Sequence, residues 1–394
     1  MAPVILVLNS GSSSIKYTLF SGDAVQLNGQ ISGLGAQPHI SLKSHVTGTR
    51  VDRALSAVEG SSHAAALAAL LPSLEQELGG QGVDAVGHRV VHGGVSLTAP
   101  VRITGEVMRE LKRLEPLAPL HQPHNLAGIE AARAAFPKAL QSACFDTAFH
   151  RNHPWVNDTF ALPRPLYEEG VRRYGFHGLS YEYICTYLKQ TRPDLYAGRL
   201  VVAHLGNGAS MCAIRDGQSI GSTMGFTALD GLPMGTRCGQ LDPGVVLYLL
   251  TTKGMTPEEV SDLLYKESGL KGLSGISQDM RTLTESDDPK ATEAIDYFVF
   301  RIRRELGAMA AVLGGLDTLV FTGGIGENSV LVRSKVCSDL EWLGLMADEA
   351  KNRDGAEDIS AERSRTRILV IPTNEEEIIR RHTEKLLSAE TISA

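Results

Sequence analysis

The sequence has few cysteines, no long apolar run and no excess of basic residues. No stretch approaches the ~18 consecutive apolar residues that a membrane-spanning helix needs. The formal net charge of −7 argues against nucleic acid as a partner. The cysteines form no CxxC pair, so neither zinc nor a disulfide framework is expected; they are Cys144, Cys185, Cys212, Cys238 and Cys337. These absences predict a cytoplasmic protein that binds neither membranes nor nucleic acid. Cys238, within a candidate active loop, is expected to be an inert thiol.

Several catalytic signatures are also missing. The chain contains no GxxxxGK[ST] phosphate loop, no GxGxxG after a strand, and no HExxH or GxSxG motif. The stretch Met1–Asn9 has no basic leader, so we expect no secretory signal. What is present is an ordinary globular composition, 43% hydrophobic and 21% charged, over 394 residues. A chain of this length favours two domains.

Each half of the chain opens with a predicted β-hairpin. In the first half the turn Asn9–Ser14 follows the apolar run Val4–Leu8, and in the second the turn Gly206–Gly208 follows Leu200–Leu205. This weak internal repetition predicts two related domains. Strand-like and helical patterns alternate through the rest, which predicts an α/β fold. The predicted helices are His63–Leu78, Gly105–Leu114, Asn125–Phe136, Tyr181–Lys189, Pro257–Glu267, Ala291–Leu313, Val330–Leu343 and Glu375–Leu387.

Three turns rich in small residues are candidates for binding phosphate. They are Asn9–Ser14 followed by Lys16, Gly206–Gly208, and Gly323–Ser329. Small side chains leave the backbone N–H groups of a turn open to an anion. Each turn alone also fits an ordinary chain reversal. Together, with two of them in equivalent positions, they indicate a nucleotide polyphosphate as the ligand.

Two arginines lie between small residues in candidate loops, namely Arg89 in Gly-His-Arg-Val-Val-His-Gly-Gly and Arg237 in Gly-Thr-Arg-Cys-Gly. A guanidinium is the preferred clamp for carboxylate or phosphate oxygens, although a surface salt bridge is the simpler interpretation of either one alone. Asp146 and His177 each follow a phenylalanine. Either could be a buried functional group or a satisfied core residue.

Seven segments together resemble the motifs of acetate kinases, in family order and across essentially the whole chain. They are Asn9–Lys16, Phe176–Gly178, His204–Gly208, Met224–Thr227, Met234–Arg237, Thr322–Asn328 and Pro372–Glu375. The resemblance implies an α/β fold of the actin, hexokinase and Hsp70 superfamily. Such a fold has duplicated ribonuclease H-like domains and an interdomain active-site cleft. We expect an N-terminal domain of residues 1–150 plus 376–394, and a nucleotide-binding and dimerisation domain of residues 151–375.

The activity implied by the resemblance is reversible phosphoryl transfer from ATP to acetate, giving ADP and acetyl phosphate, in a homodimer that uses Mg²⁺, with Mn²⁺ as the alternative metal. The expected metal ligands are Asn9 and Glu375, and the expected catalytic residues are Asp146, Arg89, Arg237 and His177. Arg89 also binds the acetate carboxylate, and His121 shapes the phosphate pocket. The acetate methyl group is expected against Val91, Leu120 and Phe176. The residues expected to bind ATP are Ser12, Lys16, His204, Asn207, Gly208, Asp279, Arg281, Gly324, Ile325 and Asn328.

The chemistry of the reaction supports this choice of residue types. Acetate is already an anionic nucleophile, so no strong general base is needed, and the main difficulty is bringing two anions together. Cations must neutralise the charge that spreads over the transferring phosphoryl group. Direct in-line transfer is the simplest mechanism, and a covalent phospho-carboxylate on Asp146 or Glu375 is the alternative.

The chain departs from the family pattern at a few positions. Ala228 stands where proline is usual, which suggests a roomier acyl pocket and keeps propionate kinase as a rival activity. Gln122-Pro123-His124 replaces Asn-Pro-Pro, Gln240 replaces aspartate and Met280 replaces phenylalanine. A non-catalytic actin-like ATP-binding protein is a further alternative. Such a protein would have no need for Arg89, Arg237 and His177.

Overall fold

The computed structural model describes residues 2–393, with side chains through Ala389. The chain forms two compact units. One comprises Met1–Ala148 with Asn374–Ala394, and the other Phe149–Thr373. The breaks expected from the sequence, after residues 150 and 375, lie two residues beyond each of these. The nucleotide-binding and dimerisation roles assigned to the second unit remain predictions.

The first unit is built on one mixed sheet in the strand order β5-β4-β3-β2-β1-β6-β8-β7. The hairpin β1–β2 is antiparallel, as predicted, whereas β1, β6 and β8 run parallel to one another. The strands are β1 Val4–Ser10, β2 Ser14–Ser21, β3 Ala24–Ser32, β4 His39–Ser44, β5 Arg50–Ala54, β6 Ala85–Val90, β7 Val101–Arg102 and β8 Leu140–Phe145.

Helices cover both faces of this sheet. Leu6 and Leu8 of β1 pack with Leu67 and Leu70 of the helix α1, His63–Leu78. The same face receives α3, while the opposite face packs against the C-terminal helix. A Cβ at Gly87 would lie 2.4 Å from Thr383 of that helix, so glycine allows it to approach β6 closely. The other helices of the unit are α2 Gly105–Arg113, α3 Gln122–Ala135 and the C-terminal helix Glu375–Ser393.

The second unit repeats the central arrangement of the first sheet. Its strand order is β11-β10-β9-β12-β13, with β9 antiparallel to β10 and parallel to β12. The strands are β9 Arg199–Leu205, β10 Ala209–Arg215, β11 Gln218–Ser222, β12 Thr318–Thr322 and β13 Arg367–Val370. The order β3-β2-β1-β6-β8 of the first unit matches it strand for strand, in accord with the predicted duplication.

The helices of the second unit complete the predicted α/β fold, and none of the helices within residues 2–393 is long and apolar enough to cross a membrane. They are α4 Trp155–Asp158, α5 Arg164–Glu168, α6 Gly178–Thr191, α7 Pro193–Tyr196, α8 Pro243–Thr251, α9 Pro257–Lys266, α10 Gly269–Ser274, α11 Met280–Thr284, α12 Pro289–Leu313, α13 Gly323–Asn328, α14 Val330–Cys337 and α15 Glu349–Arg353.

The structure differs from the sequence-based prediction near residue 330. The segment Gly323–Ser329 was predicted as a turn before one helix reaching Leu343, but most of it forms the short helix α13. The following helix α14 ends at Cys337. Ser329 separates the two helices because its side chain accepts the backbone N–H of Val332 and caps α14. Helix α8 had no predicted counterpart.

Candidate functional site

The first unit carries a buried ion pair where β6 and β8 end. Arg89 Nε donates to Asp146 Oδ1 at 2.9 Å, and its Nη2 donates to Asp146 Oδ2 at 2.6 Å. Only 2% of the Asp146 side chain is exposed, against 21% for Arg89. Arg89 is the next-to-last residue of β6 and Asp146 directly follows the adjacent parallel strand β8, which brings their side chains to one end of the sheet. The pair holds the guanidinium in one orientation.

Glu375, the first residue of the C-terminal helix, adds a second carboxylate to this cluster. Its Oε2 lies 3.5 Å from Arg89 Nε. Burial alone would lower the pKa of Arg89, but attraction by Asp146 and Glu375 outweighs it and raises the pKa above its usual value. Arg89 is therefore a permanent cation, held on one side by carboxylates, with 21% of its side chain still open to solvent.

Asn125 joins the first predicted phosphate turn to the loop after β6, and the sequence analysis did not single it out. Its Nδ2 donates to the Ser10 carbonyl at 2.7 Å, and its Oδ1 accepts from the Val91 N–H at 3.0 Å. Asn125 is 4% exposed and lies in α3. An asparagine early in a helix resembles an ordinary polar residue, so only the folded contacts reveal this link.

The turn between β1 and β2 is short and open. Gly11 N donates to Ser14 O at 2.8 Å, which leaves Ser12 at the exposed tip. Asn9 and Lys16 are cross-strand partners and share one face of the hairpin. Lys16 also lines an open groove of about 450 Å³ with Asn374, which precedes Glu375. The expected metal ligands and the expected phosphate lysine therefore belong to one region of the first unit.

The expected acyl-pocket residues of the first unit differ in exposure. Val91 is 7% exposed and Leu120 is 37% exposed. His121 lies beside Leu120 and precedes the first residue of α3. Leu120 and His121 therefore belong to one loop, whereas Val91 belongs to the loop after β6.

His177 in the second unit sits in an unusual backbone conformation, with φ of 57°. Its Nδ1 lies 2.8 Å from Ser210 Oγ, which also hydrogen-bonds the buried Tyr181 hydroxyl. The ring of His204 stacks on that of His177 with centroids 4.3 Å apart, and His204 Nδ1 lies 2.8 Å from Ser180 Oγ. Each histidine is thus oriented through its Nδ1 atom. Phe176, 2% exposed, anchors the segment in the core.

Arg237 and His177 converge on the glycine turn between β9 and β10. A Cβ at Gly208 would lie 3.1 Å from Arg237 Nη2 and 3.2 Å from His177 Nε2. Arg237 is held by its Nη1, which donates to the Ala228 carbonyl at 2.7 Å. Asn207, exposed at the same turn, accepts from the Gly235 N–H through its backbone carbonyl at 3.2 Å. A cation and an imidazole therefore border the open backbone of one turn.

The third predicted phosphate segment lies at the same end of the second sheet as the Gly208 turn, because the parallel neighbours β9 and β12 lead into the two segments. Gly324 and Asn328 are exposed on α13, and Ile325 is half-buried. Asn328 Nδ2 donates to the Gly324 carbonyl at 2.9 Å. Glu327, which sequence reasoning passed over, accepts the N–H groups of Gly323 at 2.8 Å and Thr373 at 3.1 Å. This carboxylate links the start of α13 to the segment that follows β13.

Asp279 and Arg281 form an exposed pair at the start of α11. Arg281 Nη2 donates to Asp279 Oδ2 at 2.7 Å, and the Arg281 N–H donates to Asp279 Oδ1 at 2.9 Å. The hydrogen bonds from the Arg281 side chain and backbone lower the pKa of Asp279 to about 2. Asp279 is therefore a capping residue as well as a predicted nucleotide contact, and none of the contacts described above joins this pair to the Gly208 turn.

The described residues contain no group of three histidine, cysteine, aspartate or glutamate side chains that could hold a metal by themselves. Asn9 and Glu375 nevertheless offer oxygen donors, which are the ligands that Mg²⁺ prefers. Mg²⁺ usually keeps several waters and takes its remaining ligands from one or two carboxylates and the substrate phosphates. The residues present fit a metal delivered together with a nucleotide.

The comparisons with known proteins agree with the motifs. The model of the acetokinase family matches residues 4–381. The chain belongs to the acetokinase family. A member from Methylocella silvestris named acetate kinase is 57% identical over 98% of each chain. The resemblance seen in the motifs is thereby confirmed, and the chain is a kinase of this family.

Two solved kinase structures match the fold over nearly the whole chain. A crystal structure of Porphyromonas gingivalis acetate kinase is 37% identical, with a TM-score of 0.87, and covers 98% of this chain and 100% of its own. A propionate kinase from Francisella tularensis is 35% identical over the same shares, with a TM-score of 0.91. The predicted α/β fold class is confirmed.

Proposed function

We propose that the protein transfers the γ-phosphoryl group of ATP to acetate, forming acetyl phosphate and ADP, and catalyses the reverse reaction. The observation that carries this proposal is the convergence of Arg237 and His177 on the open turn at Gly208. A phosphoryl group in flight carries charge on three peripheral oxygens, and donors fixed beforehand stabilise that charge most effectively. A module that only binds ATP has no need of such a pair.

The Arg89–Asp146 ion pair and the residues around Gly208 are proposed to bind different substrate groups. Arg237 and the Nε2 atom of His177 are proposed to donate to the oxygens of the transferring phosphoryl group. Arg89, oriented by Asp146, is proposed to bind the acetate carboxylate. No side chain is required to remove a proton, because acetate attacks as an anion. Direct in-line transfer needs no covalent intermediate on Asp146 or Glu375, and the salt bridge from Arg89 lowers the nucleophilicity of Asp146.

Nucleotide and metal binding are proposed to involve the three turns. Ser12, Lys16, Asn207 and Gly208 supply a cation and backbone N–H groups for the phosphates of ATP. The adenosine moiety is assigned to α13, with Asp279 and Arg281 nearby. Asn9 and Glu375 would hold Mg²⁺, or Mn²⁺ in its place. The bound metal would neutralise phosphate charge.

We propose that the protein is a homodimer whose interface includes helix α8. This helix has the sequence Pro-Gly-Val-Val-Leu-Tyr-Leu-Leu-Thr, yet none of its residues is buried within the described chain. Leu247 is 61% exposed and Tyr248 is 48% exposed. An apolar surface of this kind marks a protein–protein interface in a stable protein. We place the enzyme in the cytoplasm, where ATP is available and free cysteines stay reduced.

Propionate is a second candidate substrate, favoured by one residue. Ala228 replaces the usual proline next to Phe226 and Thr227, and its carbonyl holds Arg237. A smaller residue there leaves more room for an acyl chain. Similarity of fold to a propionate kinase is compatible with this activity.

The direct test is to incubate the purified protein with ATP, Mg²⁺ and acetate, and to trap acetyl phosphate with hydroxylamine. We expect product with acetate and a smaller yield with propionate. Omitting the metal should abolish product. A protein that binds ATP but gives no hydroxamate with either acid would refute the proposed reaction and favour a non-catalytic ATP-binding protein.

A further inference from the structure

A continuous row of hydrogen bonds runs through the core of the second unit and ends next to His177. Asn157 Nδ2 lies 3.0 Å from His153 Nδ1, and His153 Nε2 lies 2.7 Å from Ser219 Oγ. Ser219 Oγ lies 2.8 Å from His150 Nδ1, and His150 Nε2 lies 2.9 Å from the Phe176 carbonyl. His150 is fully buried, and Ser219 is 2% exposed. None of the proposed roles above uses these side chains.

The acceptor-only carbonyl of Phe176, with both imidazoles neutral, determines where every hydrogen in the row lies. The Phe176 carbonyl can only accept, so His150 must carry its hydrogen on Nε2 and leave Nδ1 as an acceptor. Ser219 then donates its single hydrogen to His150. His153 must therefore donate to Ser219 from Nε2, which leaves its Nδ1 free to accept from Asn157.

The opposite orientation of the Asn157 amide would leave the row with too few hydrogens for its hydrogen bonds. Its oxygen would need a hydrogen on His153 Nδ1, so the neutral ring would have none on Nε2. His153 and His150 would then both require the one hydroxyl hydrogen of Ser219. The Cys212 thiol, 3.2 Å from Ser219 Oγ, can donate to the Ala213 carbonyl at 3.6 Å and leaves this count unchanged.

Both imidazoles are held in the neutral form that this row requires. Burial is the main cause that lowers the pKa of His153 to about 3, with repulsion from Arg151 and Arg173 adding to it. Burial also lowers the pKa of His150 well below its usual value, and repulsion from Arg151 acts in the same direction. Neither ring gains a second N–H near neutral pH.

The row ends at the peptide that carries the functional histidine. His177 occupies the left-handed region with φ of 57°, which is costly for a residue with a side chain. The preceding Gly175 also has positive φ, at 73°, and a Cβ there would lie 2.6 Å from the His150 ring. The His150 ring therefore packs directly on the chain segment leading into His177, and its hydrogen bond orients the Phe176 carbonyl.

We propose that His150, Ser219 and His153 are positioning residues that hold the Phe176–His177 peptide in its strained conformation and so aim His177 Nε2 at the Gly208 turn. This inference rests on the role proposed for His177 in phosphoryl transfer. It assigns to the row an effect on the rate of transfer rather than on substrate binding. Positioning matters because a displacement of about 1 Å of a reacting group can cost ~10²-fold in rate.

A matched pair of substitutions at His150 tests the proposal. In His150→Gln the amide nitrogen can take the place of Nε2 and still donate to the Phe176 carbonyl. In His150→Asn the shorter amide reaches the position of Nδ1 and can contact only Ser219. Both variants keep a polar group of similar chemistry in the buried site, so thermal unfolding should report comparable stability.

The expected result is a split between the two variants. His150→Asn should lower kcat by ~10- to 10²-fold with little change in KM for ATP or acetate, since the loss comes from misplaced geometry. His150→Gln should recover most of kcat. Equal losses in both variants, or a loss confined to KM, would contradict the positioning role.

The hydrogen positions can be measured without any activity. In ¹⁵N-labelled protein, two-bond ¹H–¹⁵N spectra should show His150 and His153 with hydrogen on Nε2, and neither ring should titrate between pH 8 and pH 6. A hydrogen on Nδ1 of His150 would overturn the row of bonds. If His177→Asn kept full kcat, the role proposed for His177 would fail while the spectra still tested the row itself.

Discussion

At the scale of single residues, Arg89 and Arg237 donate to acceptors of different kinds. Arg89 donates two hydrogen bonds to the Asp146 carboxylate, and Arg237 donates a hydrogen bond to the Ala228 backbone carbonyl. A buried carboxylate that loses its cation is destabilising, and a carbonyl that loses one donor costs much less. The same substitution should therefore have different consequences at the two positions.

We predict that Arg89→Ala and Arg237→Ala each lower kcat by ~10²- to 10³-fold, the loss typical of one transition-state donor. Steady-state assays with acetyl phosphate trapping would measure it, and added guanidine should restore part of the activity. Near-normal turnover in either variant would remove that arginine from the proposed mechanism.

The stability of these two variants provides a control. Arg89→Ala should lower the free energy of unfolding by ~3 kcal/mol, because the buried Asp146 carboxylate loses the cation with which it forms an ion pair. The hydrogen bond that Arg237→Ala removes from the Ala228 carbonyl is expected to contribute less, ~1 kcal/mol. Urea unfolding of both proteins would show the difference. A larger loss of stability in Arg237→Ala would contradict the contacts described for the two guanidinium groups.

The acyl preference is predicted to depend on position 228. One buried methylene contributes ~0.8 kcal/mol by transfer and at most ~1–3 kcal/mol to discrimination, so acetate and propionate should differ by only ~10-fold in kcat/KM. Ala228→Pro should penalise propionate more than acetate. The Ala228 carbonyl persists in proline, so the contact with Arg237 can be kept. If neighbouring side chains fill the space instead, the ratio of the two kcat/KM values will not change.

At the scale of an element, the turn after β9 depends on the absence of a side chain at Gly208. A Cβ there would be 3.1 Å from Arg237 Nη2 and 3.2 Å from His177 Nε2, closer than ordinary contacts. Gly208→Ala should displace both groups by a few tenths of an ångström and lower kcat by ~10-fold or more. Steady-state kinetics would measure this, with Gly307→Ala in α12 as the control for added bulk alone, because a Cβ at Gly307 meets no atom within 4 Å. Unchanged kcat in Gly208→Ala would show that the turn tolerates the side chain.

Helix α8 provides the second prediction at this scale. Leu247→Glu places a charge on the exposed apolar face and should convert the dimer to a monomer, because a charge buried at an interface is costly. Val58→Glu, at a residue of the first unit that is 78% exposed, serves as the control and should leave the dimer intact. Sedimentation velocity distinguishes the two. A wild-type protein that is already monomeric would refute the proposed interface.

At the scale of the whole molecule, buried neutral histidines make stability depend on pH. Burial lowers the pKa of His88 to about 4, although its hydrogen bond with Gln141 acts the other way. Burial and nearby arginines lower the pKa of His153 to about 3. Below pH ~6.5 these histidines bind protons in the unfolded chain but stay neutral in the folded chain, so the free energy of unfolding should fall as pH falls.

The size of this effect can be measured by urea unfolding at pH 7 and pH 5. Each such histidine contributes a slope of up to ~1.4 kcal/mol per pH unit below its unfolded pKa, and no slope above it. His88→Gln should reduce the slope by the contribution of one histidine, up to ~1.4 kcal/mol per pH unit. A free energy of unfolding that stays constant between pH 7 and pH 5 would contradict the neutral, buried state of these rings.

Much of the architecture could be inferred from local pattern. The hairpin turns Asn9–Ser14 and Gly206–Gly208 stand out because small residues interrupt apolar runs, and helix α1 was predicted at its observed bounds because its apolar residues recur at helical spacing. The segment Gly323–Ser329 was predicted less well, since one glycine-rich sequence suits either a turn or a short helix. Its structure depends on Glu327, whose partner Thr373 is distant in sequence.

The proposed site shows the same limit. Residue type, neighbouring residues and family motifs were enough to propose Arg89, Asp146, Arg237 and His177 as functional residues. An arginine between small residues, for example, is a typical binder of carboxylate or phosphate oxygens. Their partners could not be chosen in this way. The contacts of Asn125 with Ser10, and of His150 with the Phe176 carbonyl, join positions 115 and 26 residues apart. Buried polar groups must form hydrogen bonds, but local propensity does not specify which distant groups will pair. Those pairings are decided only when the strands and helices pack together.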